Sequence, residues 1–211
     1  ELQDVAMAVR MVPVAATFRK LIRVVHDLSM RAGKTVHLEI RGEETEIDKT
    51  VIEQISDPLV HIIRNAVDHG IETPAERRAA GKAETGRITV EARHEAGEVW
   101  ILISDDGRGL DRDKIIARAL DNGLLDAEPA DWRDERVLQL AFEPGFSTAD
   151  EITDISGRGV GLDVVKQNIE SLNGRIRIRS EKGVGTTIIL RIPLTLAVIE
   201  GMLVRVGESR Y

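Results

Sequence analysis

Cysteine is absent from the 211 residues, which excludes disulfides, thiolate metal sites and cysteine nucleophiles. Aromatic residues make up only 3%, too few for platforms that stack single-stranded bases. Long apolar runs are missing as well; stretches such as Val99–Ile103 are far shorter than a bilayer span. Positive charge is in deficit, with 29 Lys and Arg against 36 Asp and Glu and a formal net charge of −7. So acidic a chain is poorly suited to holding nucleic acid through its phosphates, and no nucleic-acid partner is expected. No basic segment leading into an apolar one opens the chain, and Glu1–Leu2 reads as a cut inside a longer protein. What is present, 42% hydrophobic and 31% charged residues, describes a globular protein able to bury one sizeable core. A cytoplasmic location is the expectation.

Hydrophobic spacing predicts a helix over Glu1–Met30, kinked or broken at Pro13, with Phe18, Leu21, Ile22, Val25 and Leu28 on one face. Gly33 should end it. Thr35–Ile40 alternates as a strand, and Thr45–Ile47 could pair back after the turn Arg41–Glu44. A second helix is predicted from about Lys49 to Asp68, bent at Asp57–Pro58. Thr73–Thr85 reads as loop or short helix. Ile88–Arg93 and Val99–Ser104 form a hairpin pattern around Ala96–Gly97. Asp111–Leu120, Asp134–Leu140 and Val160–Leu172 read as helices, and Arg175–Ser180 and Thr186–Ile192 as strands. Hairpins with interspersed helices and no internal repeat predict an α+β sandwich, its mixed and largely antiparallel sheet carrying helices on one face.

The chemistry sits in polar and glycine-rich strings. In His61-Ile-Ile-Arg-Asn-Ala-Val-Asp-His-Gly70, helical spacing places His61, Asn65 and Asp68/His69 along one stripe. A stripe of this kind is commonly a solvated face. Asn is a weak helix former, however, and its amide oxygen is a hard ligand suited to Mg²⁺. Ser104-Asp-Asp-Gly-Arg-Gly-Leu110 follows a strand, so Asp105 can accept from a donor while the backbone passes close to a flat ligand. An ordinary strand-to-helix turn has the same composition. Lys114 and Arg118, one turn apart, could neutralise phosphates or simply form an exposed basic face. Ser156-Gly-Arg-Gly-Val-Gly-Leu162 opens a helix and offers free amides to an anion. No strand precedes it, which excludes a dinucleotide-binding βαβ unit, and no phosphate-loop motif with Gly-Lys-Ser/Thr occurs. Gly183-Val-Gly-Thr-Thr187 could be no more than a hairpin turn.

The order of these strings is more specific than any of them. Helix with Asn, Asp-x-Gly-x-Gly after a strand, Phe142-Glu-Pro-Gly-Phe146, Gly-x-Gly-x-Gly and Gly-x-Gly-Thr resemble the N, G1, F, G2 and G3 boxes of the GHKL ATPase and kinase superfamily. The longer strings DPLVHIIRNAVDHGIE, DDGRGL and FEPGFSTADEITDISGRGVGLDVV, with Ile192-Pro-Leu-Thr-Leu-Ala197, resemble the CheA family of chemotaxis histidine kinases across nearly the whole chain.

The resemblance implies a Bergerat-type fold that binds ATP and Mg²⁺. Asp105 would accept from the adenine amino group, with Gly109 giving clearance and Gly107 and Leu110 beside it. Asn65 would hold Mg²⁺, with Arg64, Asp68 and His69 nearby. Gly157, Gly159 and Gly161 would hinge a lid over roughly residues 143–161. Ser147, Thr148, Arg158, Val160, Leu162, Lys114, Arg118 and Thr186 complete the implied nucleotide-binding set. His61 stands where hydrolases of the superfamily carry a water-activating glutamate, so it and Asn65 are the candidate catalytic pair for phosphoryl transfer. The implied domains are the end of the dimerisation helices (residues 1–30), the kinase domain (31–193) and the first strands of a CheW-like regulatory domain (194–211). Implied partners are a histidine phosphotransfer domain acting in trans, a CheW-type adaptor, chemoreceptors and a response regulator. The full-length protein would be a homodimer at membrane receptor arrays and this fragment a monomer. Two alternatives stand beside that reading: a GHKL ATPase, and a sensor kinase phosphorylating itself on His26, which is followed by Asp27.

Overall fold

The computed structural model describes residues 10–127, 135–144, 146, 161–194, 205–206 and 209–210. Met11–Pro13 forms a short strand, β1, followed by helix α1 (Ala15–Ala32) and strands β2 (Val36–Arg41) and β3 (Glu46–Asp48). β1 pairs antiparallel with β3, correcting two expectations: Val12 and Pro13 are not helical, and the segment after Arg41–Glu44 does not return to β2. Proline has no N–H to donate and suits the end of a two-stranded ladder. The adjacent Val14 N–H donates to the Thr45 carbonyl at 3.0 Å, and the helix starts only after it. α1 ends at Gly33, as its sequence indicates.

Helix α2 (Lys49–Asn65) is capped by Asp48, whose carboxylate accepts from the Thr50 N–H at 2.7 Å. It continues through Pro58, and its stripe of Ile55, Leu59, Ile62 and Ile63 is buried against Phe18, Leu21 and Val25 of α1. The predicted helix to Asp68 changes character at Asn65: Ala66–Gly70 is a π turn, closed by the Ile71 N–H on the Ala66 carbonyl at 2.7 Å. Helix α3 (Pro74–Ala79) then forms within the segment read as loop or short helix. Thr73 and Glu76 cap it reciprocally.

Strands β4 (Gly86–Glu95) and β5 (Glu98–Asp105) make the expected hairpin, with Ala96 and Gly97 both at positive φ in a two-residue turn. Helices α4 (Arg112–Asp121), α5 (Glu135–Gln139) and α6 (Leu162–Ser171) follow, then strands β6 (Arg175–Glu181) and β7 (Gly185–Pro193). The five-stranded sheet has the order β2-β4-β5-β7-β6; β2 runs parallel to β4 and every other pairing is antiparallel. Outside it, Arg205–Val206 pairs antiparallel with Ser209–Arg210.

Alternation sorts the sheet into two faces. Ile88, Val90, Val99, Ile101, Ile103, Ile188, Leu190 and Ile192 are buried in one core with Phe18, Ile55, Leu59, Ile115, Val165 and Ile169 from the helices. The opposite face carries Trp100 with the guanidinium groups of Arg93 and Arg191 at 5.4 and 3.7 Å from its ring. This is the α+β sandwich the sequence predicts, with one difference. α1, within the helical stub expected ahead of the sheet, adds Phe18 at 0% exposure to the same core, a burial its sequence alone does not reveal. No helix among the described residues is long and apolar enough to cross a membrane.

Because Phe18 belongs to that core, Phe18→Ala should lower the unfolding free energy by about 3–5 kcal/mol in a single urea transition. A separate stub would leave the main transition where it was.

Candidate functional site

The period of two along β5 puts Asp105 on the same face as Val99, Ile101 and Ile103, at the end of the strand and opposite Thr186 of β7. Its carboxylate is thereby turned toward the helix layer. The Gly107 N–H donates to Asp105 Oδ1 at 2.9 Å. Burial raises the Asp105 pKa to about 6, with the charges of Asp106 and Glu72 pushing the same way; hydrogen bonds from the Gly107 and Thr186 backbones oppose them. With no cation paired to it among the described residues, and steadied by backbone N–H groups, this carboxylate retains acceptor capacity for a ligand.

The loop Asp105–Leu110 is wedged between two turns. On one side a Cβ at Gly107 would come within 2.2 Å of the Gly70 carbonyl oxygen, so only glycine lets the loop reach the π turn. The Arg108 N–H donates to that same carbonyl at 2.9 Å. On the other side Gly109, at φ +67°, passes the β6–β7 turn so closely that a Cβ would lie 2.2 Å from the Glu181 carbonyl oxygen. The Gly183 N–H reaches the Arg108 carbonyl at 2.7 Å, and the Leu110 N–H reaches Ser180 Oγ at 2.8 Å. Ser180 Oγ also bonds Thr186 Oγ1 at 3.0 Å. Thus the first glycine-rich string and the last one, far apart in sequence, are hydrogen-bonded into one wall with Thr186.

The opposite wall is the C-terminal end of α2. Asn65 is half-buried there and its side chain makes no hydrogen bond among the described residues, which leaves the amide available. His61, one turn earlier, is half-buried; burial lowers its pKa and the Arg64 and His69 charges add to that, while Asp163 opposes. The imidazole is therefore neutral at pH 7. Asp163 lies in the first turn of α6, so the N-terminus of that helix, with Gly161 as its cap, packs beside His61. Leu162 is the first residue of the helix.

The π turn alters the stripe expected from a continuous α-helix. Asp68 and His69 are exposed, and Lys34 Nζ holds the carbonyls of Val67 and Asp68 at 2.7 Å each. Lys114 and Arg118 stand exposed on α4, with no side-chain bond to either wall among the described residues. Ser147, Thr148, Gly157, Arg158, Gly159 and Val160 lie outside the described residues. His26 is exposed on α1, its Nδ1 3.4 Å from Asp27 Oδ1.

Sequence reasoning missed Lys34, Ser180 and a buried charge cluster around Arg77. Arg77, 1% exposed, donates from Nη1 to Glu72 Oε2 at 3.0 Å and from Nη2 to Asp106 Oδ2 at 2.9 Å. Lys82 Nζ holds Glu72 Oε1 at 2.8 Å. Of this group only the Thr73-x-x-Glu76 cap on α3 was legible as a pattern.

The pattern that defines the family described as histidine kinase-, DNA gyrase B- and HSP90-like ATPase matches residues 54–196, which span both walls. The chain belongs to this family. It is 50% identical over 209 residues, 99% of its length, to the chemotaxis protein CheA of Rhizobium meliloti. Identity is 51% over the whole chain to the sensor histidine kinase CheAY of Helicobacter pylori, and 45% to CheA of Bacillus subtilis. The chain spans only 26–32% of the length of these relatives. Solved structures share the fold: a histidine kinase domain of Erythrobacter litoralis (TM-score 0.51, 16% identity, 87% of this chain and 66% of that one) and the catalytic domain of histidine kinase ThkA (0.51, 14%, 87% and 94%).

Asp105 makes the site costly. An unfolded aspartate releases its proton near 3.8 and the folded one near 6, so folding takes up a proton between those values. Stability from this group is highest below that window and falls as pH rises through it. Asp105→Asn is therefore expected to stabilise the protein at pH 7.5, by an amount on the order of 2–3 kcal/mol at most. Thermal melts should show the gain shrinking as pH is lowered from 6 to 4.

Proposed function

We propose that the chain is the ATP-binding catalytic domain of a chemotaxis histidine kinase, taking Mg-ATP and passing its γ-phosphoryl to a histidine on a separate phosphotransfer domain. Asp105 carries this reading. A desolvated carboxylate that accepts but has no partner cation among the described residues suits the exocyclic amino donor of adenine, and would leave a carbonyl at that position unpaired. Gly107, Gly109 and Leu110 let the backbone lie close to the base, and Thr186 lies beside the carboxylate. Identity of 45–51% to CheA proteins over essentially the whole chain supports the same reading.

Asn65 fits a magnesium ion held mostly by phosphates and water, because its half-buried amide has no partner among the described residues. Bound there, the ion would neutralise charge on the phosphates. Arg64, Lys114, Arg118 and the amides at the start of α6, with Gly161 and Leu162, supply the remaining positive potential. A neutral imidazole at position 61 is a weaker activator of water than a carboxylate placed for that task, which favours transfer to a protein acceptor over hydrolysis.

In the same proposal the upstream residues lead from dimerisation helices, residues 31–193 form the kinase unit and residues from 194 begin a CheW-like regulatory domain. CheW-type adaptors, chemoreceptors and a response regulator are its partners in a cytoplasmic, array-associated homodimer.

Incubation with γ-labelled ATP, Mg²⁺ and a histidine phosphotransfer domain should move label onto that domain. Label on this chain alone would implicate His26, and free phosphate alone an ATPase; either result overturns the proposal. Asn65→Ala should cut Mg²⁺-dependent transfer more than about tenfold while sparing metal-free nucleotide binding, which calorimetry can separate. In a malachite-green assay, His61→Glu is expected to raise phosphate release at the expense of transfer.

A further inference from the structure

We infer that Arg77 is a positioning residue for base recognition, acting through a single peptide plane that aims the Asp105 carboxylate. The inference rests on the reading of Asp105 as the acceptor for the adenine amino group and goes one step behind it.

The peptide joining Asp106 to Gly107 has one face toward Asp105 and one toward the buried charges. Its N–H donates to Asp105 Oδ1 at 2.9 Å. Its carbonyl, the Asp106 oxygen, accepts from Arg77 Nη1 at 3.2 Å and from Lys82 Nζ at 2.9 Å. Rotation of this one plane would break both sets of bonds together. Two cations on the carbonyl also polarise the amide, strengthening the N–H as a donor to Asp105.

The neighbouring groups are tied down with it. Lys82 Nζ also holds the Gly107 carbonyl at 2.6 Å. The Asp106 carboxylate accepts from Arg77 Nη2 at 2.9 Å and from the Arg87 N–H at 2.8 Å, which anchors it to β4. Arg77 is fixed in turn: Nε donates to the Ala83 carbonyl at 2.6 Å and Nη1 to Glu72 Oε2 at 3.0 Å. Glu72 is 7% exposed. Burial pushes its carboxyl upward, but the Lys82 hydrogen bond and the charges of Lys82 and Arg77 outweigh this and hold it below its ordinary range.

A buried charge cluster is a poor device for stability alone, since well-packed apolar residues commonly do as well or better. It is a good device for fixing a loop in one geometry. The cations sit one peptide away from Asp105, so they orient its carboxylate without pairing with it. Direct pairing would occupy the acceptor that the base needs.

The test compares affinities for ATP and ITP, which differ at the base by an amino group against a carbonyl. Wild-type protein should prefer ATP at least tenfold. Arg77→Met should reduce that preference at least fivefold, with the loss concentrated on ATP, and Arg77→Lys should restore part of it. A folded Arg77→Met that keeps the full ATP preference, even with a lower melting temperature, overturns the inference. If Arg77→Met does not fold, Arg77→Lys decides, read against wild type, because it keeps a buried cation while losing the fork that bonds the Asp106 carbonyl, the Asp106 carboxylate and Glu72 together. A reduced preference supports the inference and an unchanged one overturns it. Wild-type protein without any preference for ATP would remove the adenine assignment itself, and this inference with it.

Discussion

A buried carboxylate held, among the described residues, only by backbone N–H groups is the constraint from which the rest of the site follows. Asp105 has to be desolvated to discriminate among donors, yet it must stay free of cations to accept one. Amides meet both requirements, because they stabilise negative charge without cancelling it. They must then come very close, and close approach of one backbone to another is what the glycines at 107 and 109 permit. The π turn after Asn65 is the other half of the arrangement. It brings the Gly70 carbonyl to the Arg108 N–H and so ties the wall that carries Asn65 to the wall that carries Asp105.

The chain is acidic overall while its proposed ligand is an anion, and the structure resolves that conflict locally. Asp106, Glu72 and Asp105 sit close enough for their charges to act on one another, on the side where a base would lie. Arg77 and Lys82 are bonded to Glu72, to Asp106 and to the carbonyls of the loop after Asp105. In the proposed reading, positive potential for phosphates comes instead from the other wall, from the start of α6 and from Arg64. Segregating the two kinds of charge within one site makes the global −7 almost irrelevant to binding, since fields from exposed charges are screened within about 10 Å at moderate salt.

Most of the sheet, the layer of helices and the position of Asp105 were legible in the sequence, because they depend on periodicity and on motifs of fixed spacing. The strand at Met11–Pro13 was not. Three residues give no alternation to read, and a proline within an apolar run suggests a kinked helix as readily as a strand end. Nor could the π turn be read, since one extra residue in a turn leaves the apolar pattern of Ile62, Ile63, Ala66 and Val67 intact while changing where Asp68 and His69 point. Arg77 was invisible for a different reason. In sequence it stands among charged and small residues, as an exposed arginine would. Only the fold reveals that Glu72, Ala83 and Asp106 converge on it from three segments.

Asp105 also explains why such a site needs the heavy scaffolding around it. At neutral pH the folded protein carries an ionised group in surroundings that favour the neutral form, so the working state of the site opposes folding. The stripe of α2 packed on α1, together with Phe18 at 0% exposure, supplies apolar burial that offsets that cost. The Arg77 cluster contributes something different: it holds the strained charge in one orientation, so the opposition to folding is not relieved by the carboxylate swinging out to water. Stability is therefore drawn from the helix layer and geometry from the charge cluster, and the same two supports keep the Asp105 carboxylate both buried and ionised.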